Sequence, residues 1–283
     1  MRFGMNLYVW TESLHEGVLP VLEELKAMGY DAVEIAMFEP DPDKYAAWGQ
    51  RFDQFELART GCVVRMPEDN PIDPDPAVRR KGIEANKMAL DCCQAAGVET
   101  LIGPYHSALG HFSGAAPTAD EWKWAVEGMR ETAEHAEKCG VNLALEAVNR
   151  FECYLVNTMA DLVRLCEDVD HPRCQAVYDT FHSNIEEKSI PAAIRAGGRH
   201  IIHVHISEND RGTPGSGNVR WNANFDTLHE IGYDNLMVVE AFGQALPNLV
   251  AATKIWRRMY ESEMQLARDA LHFMREQVAQ RWG

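Results

Sequence analysis

Short apolar runs alternate with longer stretches of helical periodicity from one end of the chain to the other. The apolar runs are of strand length and rich in Val, Ile and Leu, as expected of strands buried on both faces. They predict strands near Phe3–Tyr8 and at DAVEIA (Asp31–Ala36), CVVRM (Cys62–Met66), ETLIG (Glu99–Gly103), VNLALE (Val141–Glu146), QAVYD (Gln175–Asp179), IIHVHI (Ile201–Ile206) and LMVVE (Leu236–Glu240). Between them the periodicity predicts helices over Gly17–Met28, Pro42–Arg59, Ala77–Ala96, Thr118–Cys139, Thr158–Val169, Ser189–Ala196, Asn222–Ile231 and Leu249–Gln277. Thr118 reads as an N-cap, with Glu121 closing a capping box. MGYDAVEI, AGVETLIG and CGVNLALE each pass from helix to strand through one Gly, which ends a helix by adopting positive φ.

Eight strand–helix units in about 250 residues predict an α/β protein: one closed (β/α)8 TIM barrel, with residues 1–283 as a single domain. A doubly wound open sheet would need a phosphate-binding glycine loop after strand 1, and YVWTESL has none. In a barrel the active site lies at the C-terminal strand ends. Four successive strands here end in residues that can bind a metal: Glu146, Asp179, His205 and Glu240. They stand about 26–35 residues apart, close to one strand–helix unit each. Three carboxylates crowded together repel one another, and a divalent cation is the simplest partner that holds them. The hardness of the set points to Mn²⁺, Mg²⁺ or Co²⁺ ahead of Zn²⁺ or Fe²⁺.

Polar residues follow these ligands closely. Asn149, Arg150 and Glu152 come after Glu146, His182 after Asp179, and Glu208, Asn209 and Arg211 after His205. An Arg and a His beside a metal suit the holding of substrate oxygens. Arg150 also reads as a surface charge, and Glu208 as a partner for Arg211. His203 shares a strand face with His205 and reads as a buried neutral histidine or a partner behind the ligands. Tyr8, Trp10, Tyr105, Phe181 and Phe242 lie near the mouth, as sugar-packing faces or barrel plugs. GTPGSGN (Gly212–Asn218) lacks the lysine of a phosphate loop and reads as a flexible loop closing over the site.

A net charge of −16 opposes non-specific binding to nucleic acid or anionic membrane. The longest apolar runs are too short to span a bilayer. Seven cysteines, with no secretory leader, read as reduced thiols in a cytoplasmic protein.

The segments LEAVNRFE (Leu145–Glu152), YDTFHSNIEEKSIPAAI (Tyr178–Ile194), HVHISENDRGTPGSG (His203–Gly217) and VVEAF (Val238–Phe242) resemble the ketose 3-epimerases. These are the D-tagatose and D-psicose 3-epimerases of the xylose-isomerase-like superfamily. The resemblance implies epimerisation of a free ketose at C3 through a cis-enediolate. It implies one divalent metal, usually Mn²⁺, held by Glu146, Asp179, His205 and Glu240, with Glu146 and Glu240 doubling as acid and base. Glu152, His182 and Arg211 fall where the family holds its sugar. The chain departs from the family in the pocket lining around Tyr8, Met66 and Tyr105, and in the tail from Ile255, so the preferred ketose stays open. The resemblance also implies a homodimer or homotetramer. On the same scaffold, 1,2-aldose–ketose isomerases, hydroxypyruvate isomerase (with Gln at the position of His205), keto-inositol dehydratases and non-catalytic sugar-binding barrels remain as alternatives. An abasic-site endonuclease would need more metals and a basic groove.

Overall fold

Eight parallel strands close on themselves in sequence order, so that β1 pairs with both β2 and β8. The computed structural model describes residues 1–283. The strands are β1 (Arg2–Asn6), β2 (Ala32–Ala36), β3 (Ala58–Cys62), β4 (Thr100–Gly103), β5 (Asn142–Glu146), β6 (Cys174–Asp179), β7 (Ile201–Ile206) and β8 (Leu236–Val239). Ten α-helices accompany them: α1 (Leu19–Met28), α2 (Pro42–Gln54), α3 (Pro76–Ala96), α4 (Ala119–Cys139), α5 (Met159–Val169), α6 (Thr180–Glu186), α7 (Ile190–Gly197), α8 (Trp221–Glu230), α9 (Pro247–Thr253) and α10 (Glu263–Trp282). The architecture is the (β/α)8 barrel that the alternating pattern predicts.

Side chains alternate across each strand. The outward set, including Met5, Val33, Ile35, Leu101, Leu143 and Val239, joins Leu22, Phe52, Leu90 and Leu162 of the helices in the main apolar core. The inward set is smaller and more polar. Gly4 fits there because a Cβ would meet Val238 Cγ2, its register partner on the neighbouring β8, at 2.9 Å. Glu34, Asn6, Thr60 and His203 are buried in the same region.

Helix ends explain where the sequence reading held and where it slipped. α1, α3 and α4 stop on Gly29, Gly97 and Gly140, all in the left-handed region. Thr118 and Glu121 form the capping box, with backbone-to-side-chain bonds of 3.2 and 2.6 Å. α2 stops five residues before the predicted end, at Gln54, because Glu56 takes φ 51° without being glycine. The third strand therefore begins at Ala58 rather than Cys62. The expected last helix is two, broken after Lys254 at φ 62°. A short helix, α6, also follows β6 directly, with Asp179 as its N-cap. No helix is long and apolar enough to cross a membrane.

Candidate active site

Glu146 and Asp179 are the last residues of β5 and β6. His205 lies one residue before the end of β7, and Glu240 directly follows β8. Barrel closure brings the four together, with one ligand atom from each lying within 4.8 Å of the others. All four are buried. His205 Nδ1 stands 3.3 Å from Glu146 Oε1, 3.6 Å from Asp179 Oδ2 and 3.7 Å from Glu240 Oε1.

The sequence reading did not single out Glu34. It sits inside β2 and accepts hydrogen bonds from Asn6 Nδ2 at 2.8 Å and Thr60 Oγ1 at 2.9 Å. His205 Nε2 lies 3.0 Å from one of its oxygens and His203 Nε2 3.2 Å from the other. An acidic residue inside an otherwise apolar strand was the available signal, since a buried carboxylate needs partners.

Arg211 is the one guanidinium in the cluster. Its Nη1 donates to Glu240 at 2.5 Å, Ser207 Oγ at 2.6 Å and Asp179 at 3.3 Å. Its guanidinium carbon lies 3.8 Å from the Phe181 ring centroid. Its backbone holds φ 63°, and its carbonyl accepts from the Phe242 amide at 3.0 Å. Glu208 does not pair with it. The buried Glu208 carboxylate instead accepts from the backbone N–H groups of Asn209, Gly215 and Val219 and from Trp221 Nε1. The 212–218 segment expected to be a flexible flap is therefore tied down. At Gly217 a Cβ would come within 2.6 Å of Glu208 Oε1, so the backbone can wrap the carboxylate only with glycine there.

His182 Nδ1 accepts from the Asn149 backbone amide at 3.0 Å, which leaves the ring proton on Nε2. Arg211 Nη2 is 2.9 Å from that Nε2, a donor facing a donor. An oxygen in the cavity beside the pair, within reach of both nitrogens, would satisfy both. Glu152 accepts from Asn149 Nδ2 at 2.7 Å and lines the same cavity. Arg150 points away and pairs with Glu186, its side chain 63% exposed, so it does not serve the site.

The cavity over the cluster holds about 260 Å³. Glu146, Glu240, Glu152, His182 and Arg211 form its floor and one side. Tyr8, Phe38, Met66, Leu109, Phe242 and Leu249 make an apolar outer wall. Tyr8 stacks between Phe38 and Phe242, with centroids at 5.9 and 6.2 Å. Met66 sits on the rim, 45% exposed. Tyr105 is elsewhere: it is buried in the main core, with its hydroxyl donating to the Leu101 carbonyl at 3.1 Å. Its place just past a strand end suggested the mouth, but the side chain turns outward beneath the helices.

Burial pushes the Glu240 carboxyl up to about 8; Glu146 and Asp179 add to this, while His205 and Arg211 oppose it. Burial also raises Asp179, but Arg211, His182 and His205 outweigh it and hold that carboxyl below its ordinary range. Burial would lower His205, yet Glu240, Glu34, Asp179 and Glu146 raise it well above an ordinary histidine. Four buried carboxylates, counting Glu34, thus face one arginine. The donor set of three carboxylates and one imidazole nitrogen fits a hard divalent ion, whose charge would offset this excess.

A profile of the xylose isomerase-like TIM barrel family matches residues 22–277. The L-ribulose 3-epimerase of Mesorhizobium japonicum is 32% identical, over 96% of this chain and 93% of its own. The D-psicose 3-epimerase of Ruminiclostridium cellulolyticum is 29% identical over 98% of both chains. Among solved structures, a D-allulose 3-epimerase from Methylomonas sp. in complex with D-allulose superposes with TM-score 0.93 at 28% identity, over 98% of this chain and 97% of that one. With its closed barrel and a profile match along most of its length, the chain belongs to the xylose isomerase-like TIM barrel family.

Proposed function

We propose that the protein epimerises a free ketose at C3, using one divalent metal and two glutamates. The carrying observation is the convergence of Glu146, Asp179, His205 and Glu240 beneath a cavity walled by Arg211, His182 and Glu152. The relatives named above are ketose 3-epimerases, carbohydrate epimerases of the isomerase class, and this chain is an isomerase of that kind.

Glu146, Asp179, His205 and Glu240 would hold the metal, with Mn²⁺ first and Co²⁺ or Mg²⁺ as substitutes. When bound, the metal supplies Lewis-acid polarisation of the C2 carbonyl and offsets the charge that develops on its oxygen. Glu146 and Glu240 come from non-adjacent strands, β5 and the end of β8, so they can address opposite faces of a planar carbon. One removes the C3 proton to give the enediolate, and the other returns a proton from the far side, inverting the centre. Each can act as acid or base, so the reaction is reversible. The proton on His182 Nε2 and the guanidinium of Arg211 hold sugar oxygens, and Glu152 accepts from a sugar hydroxyl. Tyr8 and Met66 line the wall against the remaining carbons.

The protein works in the cytoplasm as one domain per chain and assembles as a homodimer or homotetramer. Light scattering that returns only a species of about 32 kDa would count against assembly.

The test of the activity is exchange in D₂O with a panel of unphosphorylated ketoses and Mn²⁺. Deuterium should enter C3 of the product, and Glu146→Gln or Glu240→Gln should nearly abolish turnover, with metal content measured in each variant. Deuterium at C1 would instead indicate a 1,2-isomerase. No C–H exchange at all would leave a sugar-binding barrel.

A further inference from the structure

We infer that Glu34, on the opposite side of the barrel from the ligands, is the positioning residue that sets both the orientation of His205 and the affinity of the metal centre. The inference rests on the metal-site reading above. A histidine presents two different ring nitrogens, and what the outer nitrogen touches decides which lone pair faces the metal. His205 turns Nδ1 toward Glu146, Asp179 and Glu240 and Nε2 toward Glu34 Oε1, 3.0 Å away. A carboxylate only accepts, so Nε2 keeps its proton toward Glu34. Nδ1 faces carboxylates too, and it is the nitrogen whose proton an ion held by Glu146, Asp179 and Glu240 would replace.

Glu34 is itself held by side chains from β1, β3 and β7. Asn6 of β1 donates to Oε1 at 2.8 Å. Thr60 of β3 donates to Oε2 at 2.9 Å. His203 of β7 stands 3.2 Å from Oε2. Oε1 therefore lies between Asn6 and His205, while Oε2 accepts from Thr60 with the His203 ring at its side, and the carboxylate is held facing His205. Glu34 is 1% exposed, with no Lys or Arg among its hydrogen-bond partners. Its charge is answered by imidazoles and, through His205, would be answered by an ion held by Glu146, Asp179 and Glu240. That arrangement makes the imidazole a stronger donor to a metal and fixes its plane. A carboxylate in this place is typically worth roughly 10–100-fold in metal affinity. A carboxylate needed only to plug the barrel interior would stabilise the fold and leave affinity unchanged.

Metal-stripped wild type and Glu34→Gln, which keeps the shape and removes the charge, are titrated with Mn²⁺ without sugar, following free ion by EPR. Co²⁺-loaded samples are compared by visible absorption. The wild type should take up one ion, and Glu34→Gln should bind it roughly 10–100-fold more weakly, with a shifted Co²⁺ spectrum. If Glu34→Gln does not fold, Glu34→Asp keeps the charge but falls short of His205 by one methylene, and the same weakening is expected. A variant that binds Mn²⁺ as tightly as wild type with an unaltered Co²⁺ spectrum overturns the role of Glu34 alone. A wild type that takes up no ion overturns the metal-site reading, and this inference with it.

Discussion

Replacing Glu208 with Gln should loosen the loop that carries Arg211. Glu208 is fully buried and pairs with no cation. Its Oε1 accepts from Asn209 N at 3.0 Å and Val219 N at 3.1 Å. Its Oε2 accepts from Gly215 N at 2.8 Å and Trp221 Nε1 at 3.1 Å. Glutamine has one acceptor end and one donor end. Whichever way the amide turns, its NH₂ faces two N–H groups that had a charged acceptor. Hydrogen bonds to charged groups contribute about 1.5–3 kcal/mol each, so losing two costs about 3–6 kcal/mol. The cost falls on opening of the 208–219 segment rather than on the barrel, up to the limit set by global unfolding. Native-state hydrogen exchange reads it directly. The Gly215 and Val219 amides should lose roughly two to four orders of magnitude of protection, at about 1.4 kcal/mol per factor of ten. Activity should fall as well, because Arg211 sits on this segment. Amide exchange within threefold of wild type, with unchanged kcat/KM, would refute the argument.

Arg150→Ala should leave kcat/KM essentially unchanged, because the arginine faces solvent, while Tm should fall, because the nearly buried Glu186 carboxylate loses a bidentate partner; a large loss of activity would return Arg150 to the site. The metal-free protein should lose stability as pH rises from about 6.5 to about 8.5. The raised Glu240 carboxyl and the raised His205 both bind protons more tightly in the folded state, so the stability they contribute is lost as pH passes through their folded values. Urea midpoints at the two pH values check this, and a flat or rising trend would contradict it. A free ketohexose should give a higher kcat/KM than its 6-phosphate, because the outer wall offers aromatic and aliphatic faces rather than free cations; a clear preference for the phosphate would count against the proposed substrate class.

Most of the barrel was legible because each βα unit announces itself locally. Apolar runs of strand length, the Thr118 capping box and the glycines at 29, 97 and 140 need no knowledge of distant residues. The errors lie where the backbone takes a left-handed turn without glycine, at Glu56 and Lys254, which composition does not signal. The convergence of the four strand-end residues was legible from spacing alone, because parallel strands in a closed sheet align their ends. Three things were not. Arg150 and Arg211 look alike as loop arginines, and only the fold shows one against solvent and the other over Phe181. Tyr105 follows a strand end as pocket residues do, yet its side-chain direction depends on packing beneath the helices. Glu34 meets its partners at sequence separations of 26 to 171 residues, beyond any local pattern.

The pairing of β1 with β8 has a consequence for how the molecule is made. Arg2 and Leu236 are neighbours in the finished sheet although nearly the whole chain separates them. Closing so long a loop is slow and depends on contacts that local structure cannot supply. During synthesis the early βα units emerge with an open sheet edge, and the chain cannot seal it until β8 has left the ribosome. Glu146, Asp179 and His205 lie in β5, β6 and β7, and Glu240 directly follows β8. The ion therefore cannot template the first half of the fold. It meets a site that exists only once the ring is shut, so metal shortage should leave a folded barrel awaiting its ion rather than a nascent chain stalled before closure.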